Sequence, residues 1–241
     1  MTRIWPNKKQ LDNYKEKINP EVLKLSYFLD KNLSSKWNIY INRIIDSIFK
    51  FDILLLNKKY GVISIKIHDS KHTDDNIHQL KYEKCKIYKS DGSFSRKTKL
   101  TYKGEIINDI LTEQKYQVYD LLEQVFPEIF NTLKNKKYIN DNNFQSINYF
   151  PDISNKKKFD NSITKLKNTH LITNNLYNKD SKIINSILEN ILINKKNRST
   201  TWDEKWYSNL HSKFLPSFHK IEHGEKINLS KEQEKLTIPQ K

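Results

Sequence analysis

The sequence predicts an α/β fold, a central sheet flanked by helices with a small helical appendage at the C-terminal end. Three observations carry this. A capped helix opens the chain around residues 19–33, two adjacent apolar strands follow at 49–69, and a long helical pattern runs over 108–133. Strands alternating with helices of that length favour one layered α/β unit.

Each element has a local cause. Asn19-Pro20-Glu21 is a helix start, with Asn19 as cap and Pro20 at the first helical position. Val22, Leu25, Leu29 and Leu33 then recur at near-helical spacing. Lys36 to Ile45 predicts a strand, with Trp37, Ile39, Ile41 and Arg43 on one face. The segment FKFDILLLNKKYGVISIKIHD, Phe49 to Asp69, reads as a hairpin. Asn57 to Gly61 punctuates it, and Gly61 can take a positive φ at the turn. In its second strand Ile63, Ile65 and Ile67 form the core face, so Ser64 and Lys66 are expected to look into a cleft with Asp52.

Residues 70–104 are polar and predict a loop-rich excursion with short strands at Cys85 to Tyr88 and Lys99 to Tyr102. Asn108 to Leu133 is expected to be helical, kinked or ended by Pro127. Gln114 and Gln117 lie in its first half. Further strands are expected at Gln145 to Ile153 and around His170 to Thr173, and an amphipathic helix at Lys182 to Ile193. Character changes after Arg198, where Trp202, Trp206, Leu210, Phe214 and Leu215 form a small helical stripe. The expected division is 1–197 and 198–241.

Composition limits the function classes. The 241 residues carry 43 basic against 28 acidic side chains, a formal net charge of +15, which favours a polyanionic partner such as nucleic acid. The excess is nearly all Lys, a point charge suited to diffuse phosphate attraction. Lys58, Lys59, Lys71 and Arg43 are the phosphate-contact candidates nearest the hairpin. Cys85 is the only cysteine, so an intrachain disulfide is excluded. No apolar run is long enough to span a membrane and MTRIWPNKKQ lacks a secretory apolar core, so a cytoplasmic protein is expected. His68, His72 and His78 lack a completing ligand pair, so zinc is not expected.

An acid on one strand and a lysine on its hairpin partner, here Asp52 and Lys66, form the layout of a metal-dependent phosphodiesterase site. The order of blocks extends the likeness. MTRIWP, NPEVLKLSYFL, KWNIYINRI, FDILLLNKKYGVISIKI, NDILTEQKYQVYDLL, SINYFPDIS, THLITNNLYN and INLSKEQEKL together resemble the nuclease-related domain, a PD-(D/E)xK-like group found at the N-terminus of UvrD-like superfamily I helicases. The resemblance implies a restriction-endonuclease-like mixed sheet, DNA as partner and Mg²⁺ as cofactor. It assigns Asp52 as metal ligand, Lys66 as catalytic lysine, Glu21 as a further acid on the first helix, and Gln114 (or Gln117) as the helical glutamine.

Departures also stand out. The family pattern has Glu where this chain has Ser64 and often an acid near Lys50; both differences remove negative charge from the expected ion site and predict weak or absent cleavage. Glu105 or Asp109 could supply a migrated acid. No GxxxxGK[ST] occurs, so a P-loop nucleotide site is excluded and a helicase motor would have to act in trans. Three functions remain open: a nuclease with an altered site, a non-catalytic DNA-binding or interaction module, and an orphaned helicase fragment.

Overall fold

A computed structural model describes residues 3–14, 16, 18–46, 48–68, 80–88, 90, 92–102, 105–135, 143–151, 169–192, 202 and 204–215. Six strands form one mixed sheet: β1 (Arg3–Trp5), β2 (Trp37–Ile45), β3 (Phe49–Asn57), β4 (Gly61–Ile67), β8 (Phe144–Phe150) and β9 (Thr169–Thr173), in that spatial order. β2, β3 and β4 are antiparallel neighbours, whereas β1, β8 and β9 join in parallel. A separate antiparallel sheet consists of β5 (Leu80–Tyr88), β6 (Phe94–Tyr102) and β7 (Glu105–Ile106). The helices are α1 (Lys8–Tyr14), α2 (Pro20–Asn32), α3 (Ile107–Val125), α4 (Pro127–Asn135), α5 (Ser181–Leu192) and α6 (Glu204–Phe214).

Helices cover both faces of the large sheet. On one face Val22, Leu25 and Leu29 of α2 and Ile184 and Leu188 of α5 pack with Ile39, Ile41, Ile53, Leu55, Ile63 and Ile65. On the other, Val118, Leu121 and Leu122 of α3 and Trp206, Leu210 and Phe214 of α6 pack with Tyr40, Leu54, Leu56 and Val62. Burial on both faces explains why β3 and β4 read as nearly unbroken aliphatic runs. The helix after residue 198 therefore shares a core with the sheet that precedes it.

Local signals behave as their chemistry dictates. Asn19 Oδ1 accepts the Glu21 N–H at 2.8 Å and Pro20 follows the cap. Pro127 divides the expected 108–133 helix into α3 and α4 at Phe126. The 70–104 excursion differs from expectation, because β5 and β6 are nine residues each and fully registered from Leu80↔Tyr102 to Tyr88↔Phe94. Its lysine-rich strands carry only a weak apolar alternation, confined to residues such as Cys85 and Ile87. β1 and α1 were also not expected.

One alternation fails instructively. Trp37, Ile39 and Ile41 share the α2 face, but Arg43 crosses to the other side and donates from Nη2 to the Leu215 carbonyl of the α6 terminus at 3.0 Å. Asn42, with φ of 49°, breaks the period. The opposite strand changes phase at the same level: Ile53 and Leu55 face α2, yet Phe49 and Phe51 join the α3–α6 core. Asp52 sits at that phase change.

Candidate functional site

The site grows from a fork between β3 and β4. Their ladder runs from Asn57↔Gly61 to Ile53↔Ile65 and stops. Val62 and His68 direct their N–H groups to β8, at 2.7 Å from Asn143 O and 2.9 Å from Tyr149 O. By alternation the Ile67 N–H points toward β3, where no ladder partner remains. Asp52 Oδ2 takes it at 2.8 Å. The same oxygen lies 3.5 Å from Lys66 Nζ. Asp52 and Lys66 thus share one side of the fork, as expected. Asp52 also ends a sheet ladder, a role that sequence pattern did not reveal. Lys66 is 41% exposed, so the ion pair itself is worth only about 0–1 kcal/mol. Losing the acceptor for a part-buried N–H costs more, about 1–3 kcal/mol.

Ser64 lies two residues along β4, fully buried beneath α3. It does not open into the cleft as its face predicted. Its hydroxyl accepts from Gln114 Nε2 at 2.5 Å. Gln117, one helical turn on, donates to the Lys50 carbonyl on β3 at 3.0 Å. The two glutamines therefore clamp α3 to both arms of the fork, and Gln114 is the one seated on the substituted acid position.

A cleft of about 640 Å³ opens beside Lys66, lined also by His68, Glu105, Glu113, Gln114, Gln117 and Asp120. Glu105 reaches it, whereas Asp109 lines the adjoining recess with Glu105 and Glu113. These acids do not converge: among the described residues no group of three His, Cys, Asp or Glu could hold a metal ion. Glu21 is buried on α2, against the opposite face of the sheet from α3. It lies 3.5 Å from Lys24 Nζ and near Tyr177, whose pKa burial raises, with the Tyr149 hydroxyl opposing and the Glu21 charge adding to the rise. A carboxylate in the first turn also complements the helix dipole. The residues as placed do not fit a divalent ion. One oxygen of Asp52 is already engaged, the second acid is a sealed hydroxyl, and Glu21 serves its own helix.

The basic candidates separate. Lys58 and Lys59 are exposed at the β3–β4 turn, the far end of the hairpin from Lys66, about 20 Å away along the strand. Arg43 corrects an expectation: it is buried and spent on Leu215, so it cannot reach a phosphate. Lys71, His72 and His78 lie outside the described residues. His68 stacks on Phe150 with centroids 4.5 Å apart, and its Nε2 sits 2.7 Å from Asn148 Oδ1. Among the described residues no helix is long and apolar enough to cross a membrane.

Comparison with protein-family models, with curated proteins and with solved structures returned no match.

Proposed function

We propose that this chain is a nucleic-acid-binding domain of nuclease-like layout whose catalytic cleft has been converted to a structural joint. The observation that carries the proposal is the pairing of Ser64 with Gln114 beside a retained Asp52–Lys66 pair. An acid and a lysine at a strand fork are what phosphodiester chemistry uses, but a buried hydroxyl hydrogen-bonded to an amide cannot neutralise a divalent cation as a carboxylate would. The net charge of +15 supports a polyanionic ligand. The resemblance to the helicase-associated domain suggests DNA and a motor supplied by another polypeptide.

The test is binding and cleavage together. The full chain is titrated into labelled DNA across salt, then incubated with Mg²⁺ or Mn²⁺, with Asp52→Ala as control. Affinity is expected to fall steeply between about 50 and 200 mM salt, since each neutralised phosphate releases counterions. Turnover is expected at the level of Asp52→Ala. Metal-dependent cleavage abolished by Asp52→Ala would overturn the structural-joint assignment, and salt-insensitive binding would leave the charge purely compositional.

A further inference from the structure

We infer that the outer face of the β5–β6 ribbon is a binding surface for single-stranded nucleic acid. This rests on the proposed nucleic-acid function and names the surface that serves it. Tyr88 and Phe94 face each other in register and are 67% and 49% exposed, unusual for rings with so much of the protein's apolar surface buried elsewhere. Their centroids are 6.0 Å apart. The next same-face rungs hold Lys86 opposite Arg96 and Lys84 opposite Thr98, all exposed. Lys86 Nζ lies 5.1 Å from the Phe94 centroid. No carboxylate stands among these six residues. On the reverse face Glu83, Cys85, Ile87, Ser95 and Lys99 are half-buried, whereas Lys97 is exposed. The ribbon is therefore two-sided: the open side carries both exposed rings with Lys84, Lys86 and Arg96 and no acid among them, while the reverse side sets Glu83 beside Lys97 and Lys99.

Flat aromatic faces beside a row of cations suit unpaired bases and their phosphates. A duplex hides its base faces, so it would meet only the cations. Self-association through this face would oppose like charges. The tip between the rings exposes Ser90, Gly92 and Ser93 in place of aliphatic side chains that would enter a lipid bilayer.

Fluorescence anisotropy of the full chain with a labelled oligothymidylate, a matched-length duplex and phosphatidylserine vesicles tests this. The variants are Tyr88→Ala/Phe94→Ala, the conservative Tyr88→Phe/Phe94→Tyr, Lys84→Ala/Lys86→Ala/Arg96→Ala, and Lys66→Ala in the cleft. The alanine ring pair is expected to weaken single-strand binding roughly tenfold or more with the salt slope unchanged, and the conservative pair to restore it. The basic triple is expected to lower the slope of log affinity against log salt by about 2, at roughly 0.7 per single-strand phosphate contact. Wild-type affinity in every ribbon variant, with loss only in Lys66→Ala, overturns the ribbon and leaves the nucleic-acid function standing. No binding of either oligonucleotide by the wild-type chain overturns that function itself. Ring-dependent binding to vesicles alone, or ring-dependent dimerisation, overturns the choice of ligand.

Discussion

The β3–β4 and β5–β6 hairpins are both antiparallel and have opposite fates. β3 and β4 are sandwiched between helices, and Ile53, Leu54, Leu55, Leu56 and Ile63 are wholly buried. β5 and β6 pair over nine rungs against five for β3 and β4, yet Lys84, Lys86, Tyr88, Phe94, Arg96 and Lys97 are exposed. The more exposed hairpin has the longer ladder, so burial is what sets the other one apart. The apolar hairpin supplies burial, at about 25 cal/mol per Å² removed from water, and sets the position of the fork. The polar hairpin contributes little to the core, which leaves its side chains available for a ligand. Changes in the first should act on folding and changes in the second on binding.

The largest effect is expected at the turn of the buried hairpin. Gly61 has φ of 133°, and a Cβ there would meet the Asn143 carbonyl oxygen at 2.0 Å. That carbonyl accepts the Val62 N–H at 2.7 Å, and Asn143 Nδ2 donates to Tyr60 O, so the close approach starts the parallel β4–β8 pairing. Gly61→Ala should cost about 3 kcal/mol or more, through both the backbone conformation and the contact. Urea denaturation measures it. A loss below about 1 kcal/mol would mean that the turn relaxes freely and that β8 is not pinned there.

The fork gives the next effect. Asp52→Ala leaves the Ile67 N–H without its acceptor and should cost about 1–3 kcal/mol. Asp52→Asn keeps an oxygen for that donor and loses only a half-exposed ion pair, so it should stay within about 1 kcal/mol of the parent. Equal destabilisation by both would place the weight on the charge pair with Lys66 instead of on the ladder end.

How much of this was legible follows from what each element depends on. α2 was readable because Asn19, Pro20 and the leucine spacing are local causes, and β3–β4 because aliphatic runs bounded by a glycine turn are unambiguous. Asp52 and Lys66 were found by residue type and brought together by the antiparallel register. The sealing of Ser64 was not readable, because it depends on a helix some fifty positions later and on which glutamine faces the sheet. Arg43 was misjudged for a similar reason: a positive φ at Asn42 reverses the strand face, and an asparagine in a strand does not announce it. The long ribbon was hidden by lysines that weaken strand patterns, although the alternation in KYEKCKIYK was a usable signal.

A pH effect probes the α6 side of the buried hairpin. Tyr40 on β2 is fully buried and its hydroxyl contacts His211 Nδ1 on α6. Burial raises its pKa well above the usual tyrosine value, the Tyr207 hydroxyl adds to this, and Arg43 and Arg3 partly oppose it. The unfolded phenol ionises near the ordinary value while the folded one stays protonated. Its contribution to stability is thus fully present below about pH 10 and lost as pH rises toward the raised folded value. Thermal unfolding between pH 8 and 11 should show this alkaline limb, flattened in Tyr40→Phe. An unchanged limb would assign the loss to other groups.

The smallest stability effect is expected in the ribbon, and its smallness is the point. Truncating a buried ring typically costs about 3–5 kcal/mol because it removes apolar burial and leaves a cavity. Tyr88 is two-thirds exposed and Phe94 about half, 67% and 49%, so both penalties are small. What remains is one tilted ring pair and one cation over a ring at the end of a two-stranded ribbon, contacts worth about 0.2–1 kcal/mol each. Tyr88→Ala/Phe94→Ala should therefore unfold within about 1 kcal/mol of the parent in urea, with an unchanged denaturant slope. A cost near 2 kcal/mol would show that the rings are packed against chain in solution, and the contrast between the two hairpins would collapse. A near-zero cost leaves ligand binding as the one property through which these exposed rings can act, so that any loss of affinity in the same variant is read without a folding correction.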